Sequence, residues 1–414
     1  MASFCVFKVR SSFFVLMNHK KILISGASIA GPTLAFWLNR FGFEVTIVER
    51  AESLRLGGQN VDIKGAAQNI AQWMGIEEEI RAADTGELGV LFVDENNVTK
   101  AALPKGESNL GTSELEILRG DLVKILYQHT KDDVEYLFGN QIIALDEHAN
   151  GVKVSFQNGE VRDFDLVICA DGIRSRTRQL IFRDEPFVKP VGLYVSYFTI
   201  PRGPSDSRWA RWYNATNARV IVMRPDNEGT TRASFSFMSE PMGYEKLSIE
   251  EQKQLLRDKF SDAGWEAKRV LAAMEENSDL YFDAISQVIA PHWSNGRCAM
   301  TGDAAFCPSP LTGMGVSLSV VGAYILAGEL SRHANYADAF AAYEKAFRPN
   351  VTKIQKLPPG VPWLAHPKTK LGIFFLNTIL NVISSKPIRK LGALFSSSEE
   401  EDFDLTDYQT GTVG

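Results

Sequence analysis

Cysteine is scarce in this chain, and its four copies form no pattern that would organise a site. In 414 residues the four positions are far apart, without the spacing of a zinc site or the density of a disulfide framework: Cys5, Cys169, Cys298 and Cys307. We therefore expect no metal centre and no disulfides. Reduced thiols of this kind are typical of a cytoplasmic protein.

Strong positive charge and long apolar runs are also missing. The net charge is −6, with a pI near 5.7, and no basic stripe is interleaved with aromatic residues. This argues against a nucleic-acid partner. The most apolar stretch near the C-terminus, residues 371–383, is too short to span a bilayer, which needs about 20 apolar residues. We expect a packed helix there and no integral membrane segment.

The N-terminal residues 1–16 are apolar and basic, but no small-residue cleavage site follows them. Lys8 and Arg10 interrupt the apolar run. We favour an upstream start codon or a disordered arm over a targeting segment. The remaining chain is 45% apolar over a length that favours two or three structural units.

The first informative motif is a glycine turn between a strand and a helix. An apolar run at residues 21–25 leads into a turn with Gly26, Ser28 and Gly31, and a helical pattern covers residues 33–41. A second strand, residues 44–49, ends in Glu49, close to the distance of about 20 residues expected for a ribose-binding carboxylate. This arrangement predicts a βαβ unit with phosphate at the helix N-terminus, although Ser28 replaces the usual middle glycine. An ordinary strand-to-helix turn is the alternative.

Two further turns follow apolar strands later in the chain. Residues 165–170 lead into Asp171 and Gly172, which alone could be a simple turn. Residues 297–301 lead into Asp303 and a loop rich in proline and glycine, and a long apolar helix is predicted from residue 316 to 330. A loop that opens a helix suits an anion facing backbone N–H groups.

Between these turns the sequence changes its period. Residues 115–126 predict a helix that Asp121 could cap. Residues 192–200, 208–213, 219–223 and 232–237 alternate and are rich in aromatic residues, which predicts an antiparallel sheet. Helical patterns follow at residues 249–260 and 265–274. We interpret this region as a substrate domain inserted into a nucleotide-binding domain. After it, residues 280–289 return to a strand pattern, and residues 336–355 predict another helix.

Together, in order and approximate spacing, the three turns resemble the fingerprints of the flavoprotein aromatic hydroxylases. The resemblance covers about residues 20–355, and residues 118–122 resemble the arginine helix that contacts the flavin in that family. Residues 57–65 and the C-terminal helix look most like the tetracycline-inactivating monooxygenases, or tetracycline destructases.

The implied fold is α/β, with a Rossmann-like FAD-binding domain, an inserted antiparallel-sheet substrate domain and a C-terminal helix. Its implied division gives residues 18–75, 105–182 and 279–355 to FAD, residues 76–104 and 183–278 to substrate, and residues 356–414 to a helical segment with an acidic tail. The tail prediction rests on residues 396–404.

The resemblance also implies roles for individual residues. Glu49 would hold the adenosine ribose, Asp303 a ribityl hydroxyl, and Asp171 would lie between the FAD and nicotinamide regions. The pyrophosphate, the ribityl chain and the isoalloxazine would be contacted by the remaining cofactor residues: Gly26, Ser28, Gly31, Arg50, Arg119, Pro310, Gly313, Met314 and Gly315.

The expected chemistry is monooxygenation. Six scattered histidines give no HExxH motif, no Ser/His/Asp order and no paired-carboxylate signal, so the flavin would supply the reactive group. The resemblance implies reduction of FAD by NAD(P)H, with NADPH favoured because Arg50 and Arg55 lie near the nucleotide. A C4a-hydroperoxide formed with O2 would then give one oxygen atom to a phenolic or enolic ring.

The substrate stays open at this point. Tetracycline fits the resemblance, and another aromatic or polyketide compound is the alternative; an FAD-dependent reductase, a halogenase and a non-catalytic flavin protein are further ones. We expect a monomer. Candidate pocket residues are Arg211, Arg219, Met223, Phe235 and Phe237, with Arg219 chosen for an anionic substrate group, although ordinary sheet core or a solvated arginine explains each equally well. The helix at 371–383 could cap the pocket or simply pack.

Overall fold

The computed structural model describes residues 20–106, 112–183, 187–276, 280–356, 360–384 and 405–409. The predictions for residues 1–16 and for the acidic stretch 396–404 lie outside these ranges. Two large sheets organise the described chain.

The first large sheet has six strands in the order β17-β18-β11-β1-β2-β7. The five strands from β18 to β7 are parallel to one another, and β17 is antiparallel to β18. Ile22, Leu23 and Ile24 are fully buried at its centre. The strands are β1 (Lys21–Ser25), β2 (Glu44–Glu49), β7 (Glu135–Phe138), β11 (Leu166–Cys169), β17 (Ser294–Asn295) and β18 (Cys298–Met300). Such a buried parallel sheet, joined by helices, is the Rossmann-like arrangement predicted from the βαβ pattern.

Helices α1 (Ala30–Arg40) and α9 (Gly315–Arg332) pack against each other beside this sheet. Trp37 of α1 and Tyr324 of α9 meet edge to face, with ring centroids 4.7 Å apart. The remaining helices of this part are α2 (Ala66–Met74), α3 (Glu77–Ala82), α4 (Arg119–Gln128), α5 (Arg176–Phe182), α8 (Asp303–Phe306) and α10 (Tyr336–Gln355). The α10 bounds equal those predicted.

The helix predicted for residues 115–126 is wrong in its first turn. Residues Glu116–Leu118 form a short strand, β6, paired with β3 (Asn60–Asp62), and α4 begins only at Arg119. Asp121 lies in the first turn of α4 and does not cap it, since Leu118 holds the N-cap position. The strand β3 provides a pairing partner that the local pattern could not reveal. A separate antiparallel sheet of β8 (Ile142–His148), β9 (Gly151–Phe156) and β10 (Val161–Phe164) extends the fold.

The second large sheet has seven strands in the order β16-β12-β15-β14-β13-β4-β5 and is antiparallel except for the pair β13 and β4. Its strands are β4 (Gly89–Val93), β5 (Thr99–Pro104), β12 (Val188–Pro201), β13 (Ala210–Ala215), β14 (Arg219–Pro225), β15 (Thr230–Met238) and β16 (Tyr281–Val288). Because β16 pairs with β12, the segment from residue 281 belongs to this sheet, whereas the sequence prediction grouped it with the FAD-binding part.

One face of this sheet is sealed by α6 (Ile249–Phe260) and α7 (Ala267–Glu275). Ser248 and Glu251 form a capping box that starts α6, and both helices bury apolar residues into a shared core with the sheet. The opposite face is turned toward the loop between α8 and α9, as described below.

The chain then passes along the edge of the seven-stranded sheet. Two short turns of 3-10 helix, Tyr244–Lys246 and Pro310–Thr312, lie in the connecting loops. Helix α11 (Val361–Ala365) and helix α12 (Lys370–Ser384) follow, and α12 contacts β5 and β13. Within the described ranges, no helix combines the length and apolarity needed to cross a membrane.

Residues 405–409 return to α9. Tyr408 is buried against Tyr324, and its hydroxyl donates to Glu329 while Arg332 lies over its ring. Gly328 makes room for this ring, because a Cβ there would lie 2.2 Å from it. This contact holds helix α9, which begins at the end of the loop after α8.

We therefore expect Tyr408→Ala to lower the free energy of unfolding by about 3 kcal/mol through loss of buried aromatic packing. Tyr408→Phe keeps the packing and loses only one hydrogen bond, so it should cost about 1 kcal/mol. Urea unfolding of both variants measures this, and equal losses in the two would contradict the packing role.

Candidate functional site

The turn after β1 is built so tightly that glycine is required. Gly26 has φ of 111°, and a Cβ there would lie 2.6 Å from the carbonyl oxygen of Ala170. A Cβ on Gly31 would lie 2.0 Å from the carbonyl oxygen of Gly26. The ends of β1 and β11 thus approach the start of α1 with no space for a side chain, as expected where backbone cradles a pyrophosphate.

Glu49 is fixed at the end of β2, beside this turn. Its carboxylate is buried and accepts hydrogen bonds from the backbone N–H of Ala27 and of Ala51, each at 3.0 Å. Arg55 lies 3.4 Å from the same carboxylate. The neighbouring cleft is lined by Ser25, Gly26, Val48, Glu49, Arg50, Arg55, Asn140, Gln141, Ile142, Asp171, Arg174, Arg176 and Thr177.

Arg119 crosses the cleft from the start of α4 and explains the unusual Ser28. Its guanidinium donates to Ser28 Oγ at 2.8 Å, to the Gly57 carbonyl at 3.1 Å and to the Arg55 carbonyl at 2.9 Å. Burial and the nearby Arg55 lower the pKa of Arg119. The positive charge of the two arginines favours an anion nearby. Gly58 allows this approach, since a Cβ there would lie 2.7 Å from Arg119 Nε.

Asp171 lines the same cleft, but its carboxylate organises its own loop. It accepts hydrogen bonds from the backbone N–H of Arg176 at 3.1 Å and of Thr177 at 3.2 Å, and from the hydroxyls of Ser175 and Thr177. These bonds hold the start of α5 at the edge of the cleft. Its contact with a cofactor stays a prediction.

Asp303 stands at the start of α8, close to the N-terminus of α9. A Cβ on Gly315, the first residue of α9, would be 3.9 Å from its Oδ1 atom. Burial raises the pKa of Asp303 to about 6, and a hydrogen bond with Cys307 opposes the shift. A carboxyl group in this position can hold a hydroxyl group of a ligand.

The loop between α8 and α9 is conformationally demanding. Ser309 has φ of 78°, a region that non-glycine residues rarely adopt, and Gly313 is left-handed with φ of 64°. Strained backbone of this kind persists where surrounding structure enforces it, often at ligand-binding loops. Helix α9 begins after Met314 without a side-chain cap, so its N-terminal dipole is available to negative charge.

The same loop fixes which face of the seven-stranded sheet is turned toward it. Leu311 packs against the apolar cluster of Leu193, Val195 and Ile285, together with Tyr197 and Met238. These residues alternate with those that pack under α6 and α7. The space beside the loop is therefore lined by the face of the sheet that the helices leave uncovered.

This geometry does not place the five predicted pocket residues beside the loop. Met223, Phe235 and Phe237 are buried in the core beneath α6 and α7, and Phe235 lies 4.4 Å from the Phe260 ring of α6. Arg219 donates to the carbonyls of Thr216 and Lys259 and to Asp262. Arg211 pairs with Asp206 and lies over Trp265. The choice of pocket residues is corrected in one respect: all five lie on the face of the sheet that α6 and α7 cover, and the strand positions that contact a substrate stay a prediction.

Sequence reasoning missed a buried polar cluster on the uncovered face. Arg224 donates to Glu87 at 2.8 and 3.0 Å and to Glu116 at 2.6 Å, and Asn60 donates to Glu116 at 2.9 Å. Burial, opposed by Arg224 and assisted by Glu87, raises the pKa of Glu116 to about 7. Arg224 stands one register position from Met223, so the alternation of β14 was the signal that could have identified it.

The segment between α11 and α12 closes one side of this face. The His366 ring meets Ser236 Oγ at 2.9 Å, and Asn214 donates to the Ala365 carbonyl at 2.7 Å. Burial lowers the pKa of His366 to about 4, so the ring is neutral near pH 7. A neutral, hydrogen-bonded histidine here fixes the segment without adding charge to the space.

These features fit FAD. A glycine turn without room for side chains, a buried acid at the end of β2, paired arginines and an uncapped helix N-terminus suit in turn the pyrophosphate, the ribose and the electron-rich end of the flavin. Of the described residues, no cluster of histidine, cysteine or acidic side chains could hold a metal ion. The free thiols of Cys169, Cys298 and Cys307 are all buried.

Comparison with known proteins agrees with this reading of the site. Residues 19–356 match the model of the FAD binding domain family. The chain is 42% identical over 341 residues to a flavin-dependent monooxygenase of Legionella longbeachae, covering 81% of this chain and 87% of the relative. It is 35% identical to the crystal structure of tetracycline destructase Tet(55), with a TM-score of 0.77 over 90% of this chain and 97% of that one.

A more distant structure shares the fold alone. Klebsiella pneumoniae HpxO, solved with FAD and uric acid, is 17% identical with a TM-score of 0.72, over 90% of this chain and 95% of that one. Since the family match spans most of the chain and a relative that is 42% identical is a flavin-dependent monooxygenase, the protein belongs to the FAD-dependent monooxygenases of the aromatic-hydroxylase type.

Proposed function

We propose that the protein uses NAD(P)H and O2 to insert one oxygen atom into a phenolic or enolic polycyclic compound, with tetracycline as the leading substrate. The packing of Leu311 against Leu193 and Val195 supports this most directly, because it sets the flavin loop against one face of the sheet. The Tet(55) likeness supports the choice of tetracycline.

The chain's own task begins with holding FAD. Gly26, Ser28 and Gly31 provide backbone and hydroxyl contacts for the pyrophosphate, with Arg50 and Arg119 supplying positive charge, while Glu49 takes the ribose. Asp303 takes a ribityl hydroxyl, and Pro310 with residues 313–315 lines the flavin ring. When bound and reduced by NAD(P)H, FAD activates dioxygen for transfer of one oxygen atom.

The substrate then lies on the uncovered face of the sheet. Tyr197, Trp212 and Val222 give it apolar walls, and Arg224 supplies a cation at their margin. The Arg224 bonds use its Nε and Nη2 atoms, and no hydrogen bond joins Nη1 to a residue of the described ranges. Nη1 is thus the donor we assign to an enolate or phenolate oxygen.

The paired acids behind Arg224 fix that donor's direction. Glu87 binds the guanidinium through two bonds, and Glu116 adds a third. A guanidinium held in this way orients a substrate oxygen with little loss of side-chain entropy. The segment with His366 excludes water from the adjoining side, which strengthens the contact.

The proposal also includes the cellular location, the oligomeric state and the electron donor. The buried free thiols and the use of NAD(P)H favour the cytoplasm, and we expect a monomer. NADPH remains our choice of donor and rests on the positive charge of Arg50 and Arg55, which both line the cleft beside Glu49.

The first test is turnover. The purified yellow holoenzyme should oxidise NADPH faster when tetracycline is present and yield a product heavier by one oxygen atom. Oxygenation of other phenols but not of tetracycline would keep the monooxygenase and overturn the named substrate. A reduced product without added oxygen would favour the reductase alternative.

The second test separates the two faces of one strand. Arg224→Gln should raise KM for the substrate at least tenfold, the effect of losing one charged hydrogen bond of about 1.5–3 kcal/mol. Arg219→Gln is the matched control, since it removes an arginine from the helix-covered face of β14 and should lower stability without changing KM. Equal effects on KM would contradict the assignment of the faces.

The third test concerns Asp303. Its folded pKa of about 6 exceeds the ordinary 3.8, so the flavin-free protein loses stability as pH rises through this interval, and the full cost is present above pH 6. Asp303→Asn should remove this dependence and raise the melting temperature of the flavin-free protein at pH 8.

The same variant should bind FAD at least tenfold more weakly, because a charged acceptor is lost. Asp163→Asn, an exposed site on β10, is the control for both measurements. An unchanged FAD affinity in Asp303→Asn would remove Asp303 from the cofactor site.

A further inference from the structure

Helix α12 is apolar on the side that faces away from the protein. Its outward residues remain widely exposed, including Leu371 at 64%, Phe374 at 63% and Phe375 at 55%, with Ile379 and Val382 at 51% each. A helix that is apolar all round is normally buried. Exposed apolar surface of this extent marks an interaction site.

The inward side of α12 already has its own contacts. Ile373, Leu376 and Leu380 are half-buried along the side that follows β5 and β13. The exposed phenylalanines are therefore additional to the residues that seat the helix on the sheet. Seating α12 does not explain them.

The preceding turn extends the same exposed apolar surface along the chain. Trp363 and Leu364 of α11 are 61% and 63% exposed, and the Lys368 ammonium lies 4.9 Å from the Trp363 ring centre. Tryptophan with neighbouring lysine is a frequent combination at the boundary between lipid and water. We call the exposed side chains of Trp363, Leu364, Leu371, Phe374, Phe375, Ile379 and Val382 the C-terminal apolar face.

The chain that carries this face has charge of one sign up to the start of the acidic stretch near its C-terminal end. From residue 345 to 398 the sequence has nine lysines and arginines and no acidic residue, although the whole chain has a net charge of −6. Lys368 lies just before α12 and Lys370 is its first residue, and Lys386, Arg389 and Lys390 follow it in the sequence. This local excess suits an anionic surface.

We propose that the C-terminal apolar face docks on the surface of an anionic lipid bilayer, with α12 lying in the interface and Lys368 and Lys370 contacting lipid headgroups. Apolar aromatic residues with basic flanks are the features of such interfacial helices. A second copy of the chain fits less well, because pairing this face with itself would bring like charges together.

Docking would also place the bilayer beside the edge of the seven-stranded sheet, where α12 contacts β5 and β13. Apolar compounds concentrate in membranes. If the proposed substrate site is correct, its substrate could then be collected from lipid; the docking itself does not depend on that site.

The test is sedimentation of the full-length holoenzyme with vesicles. Vesicles containing phosphatidylglycerol should bind the protein at least tenfold more strongly than vesicles of phosphatidylcholine alone, and added salt should weaken the binding. Phe374→Glu combined with Phe375→Glu should reduce binding to the anionic vesicles at least tenfold, which corresponds to about 1.4 kcal/mol. Lys368→Gln combined with Lys370→Gln should reduce it by a smaller factor.

Met242→Glu is the matched control, since Met242 is 62% exposed and lies outside the C-terminal apolar face. It should leave binding unchanged, and an equal loss in this variant would overturn the proposal. The double phenylalanine variant and Met242→Glu should keep FAD and their turnover in solution, which separates this result from failure of the proposed function.

Hydrogen exchange on the unmodified protein gives an independent measurement. Slower exchange of residues 370–384 in the presence of anionic vesicles supports docking, and unchanged exchange overturns it. A dimer in the absence of lipid that Phe374→Glu dissociates would assign the face to a second copy instead.

Discussion

The absence of space for a side chain where β1, β11 and α1 meet is the constraint on which this architecture depends. Because Gly26 and Gly31 bring backbone against backbone, the two strands and the helix meet closely, and Glu49 is held within hydrogen-bonding distance of Ala27. Arg119 donates a hydrogen bond to Ser28 in the same turn. Each remaining part of the cofactor site is placed relative to this contact.

The sequence predicted the parts of the fold in which local pattern and tertiary environment agree. Strands β1 and β2 and helices α6 and α10 have the bounds that their periodicity indicated. Residues 115–118 failed this rule because Leu115, Ile117 and Leu118 are all buried, so their apolar spacing suits a helix as well as a strand. The pairing of β6 with β3 decides between helix and strand, and no local sequence pattern indicates this pairing.

The turns of the proposed cofactor cleft leave a clearer mark in the sequence than the two faces of the sheet do, for a physical reason. A glycine turn, an acid about 20 residues later and a proline-rich loop are conformational requirements that leave a mark in the sequence. The two faces of a sheet leave the same alternation. Phe235 packs under α6 and α7, whereas Ser234 lies on the opposite face of the sheet. The elements that cover the two faces, α6 and α7 on one and Leu311 on the other, are distant from β15 in the chain.

The seven-stranded sheet therefore divides two kinds of selection between neighbouring residues. Positions under α6 and α7, such as Phe235 and Met223, are fixed by close packing, and changes there are paid in stability. Their immediate neighbours, such as Ser234, Val222 and Arg224, lie on the opposite face and are free of that packing. On the proposed function, these residues contact the substrate. On the proposed function, enzymes of this kind can change their substrate by substituting every second residue of three or four strands. The residues between them keep the domain folded.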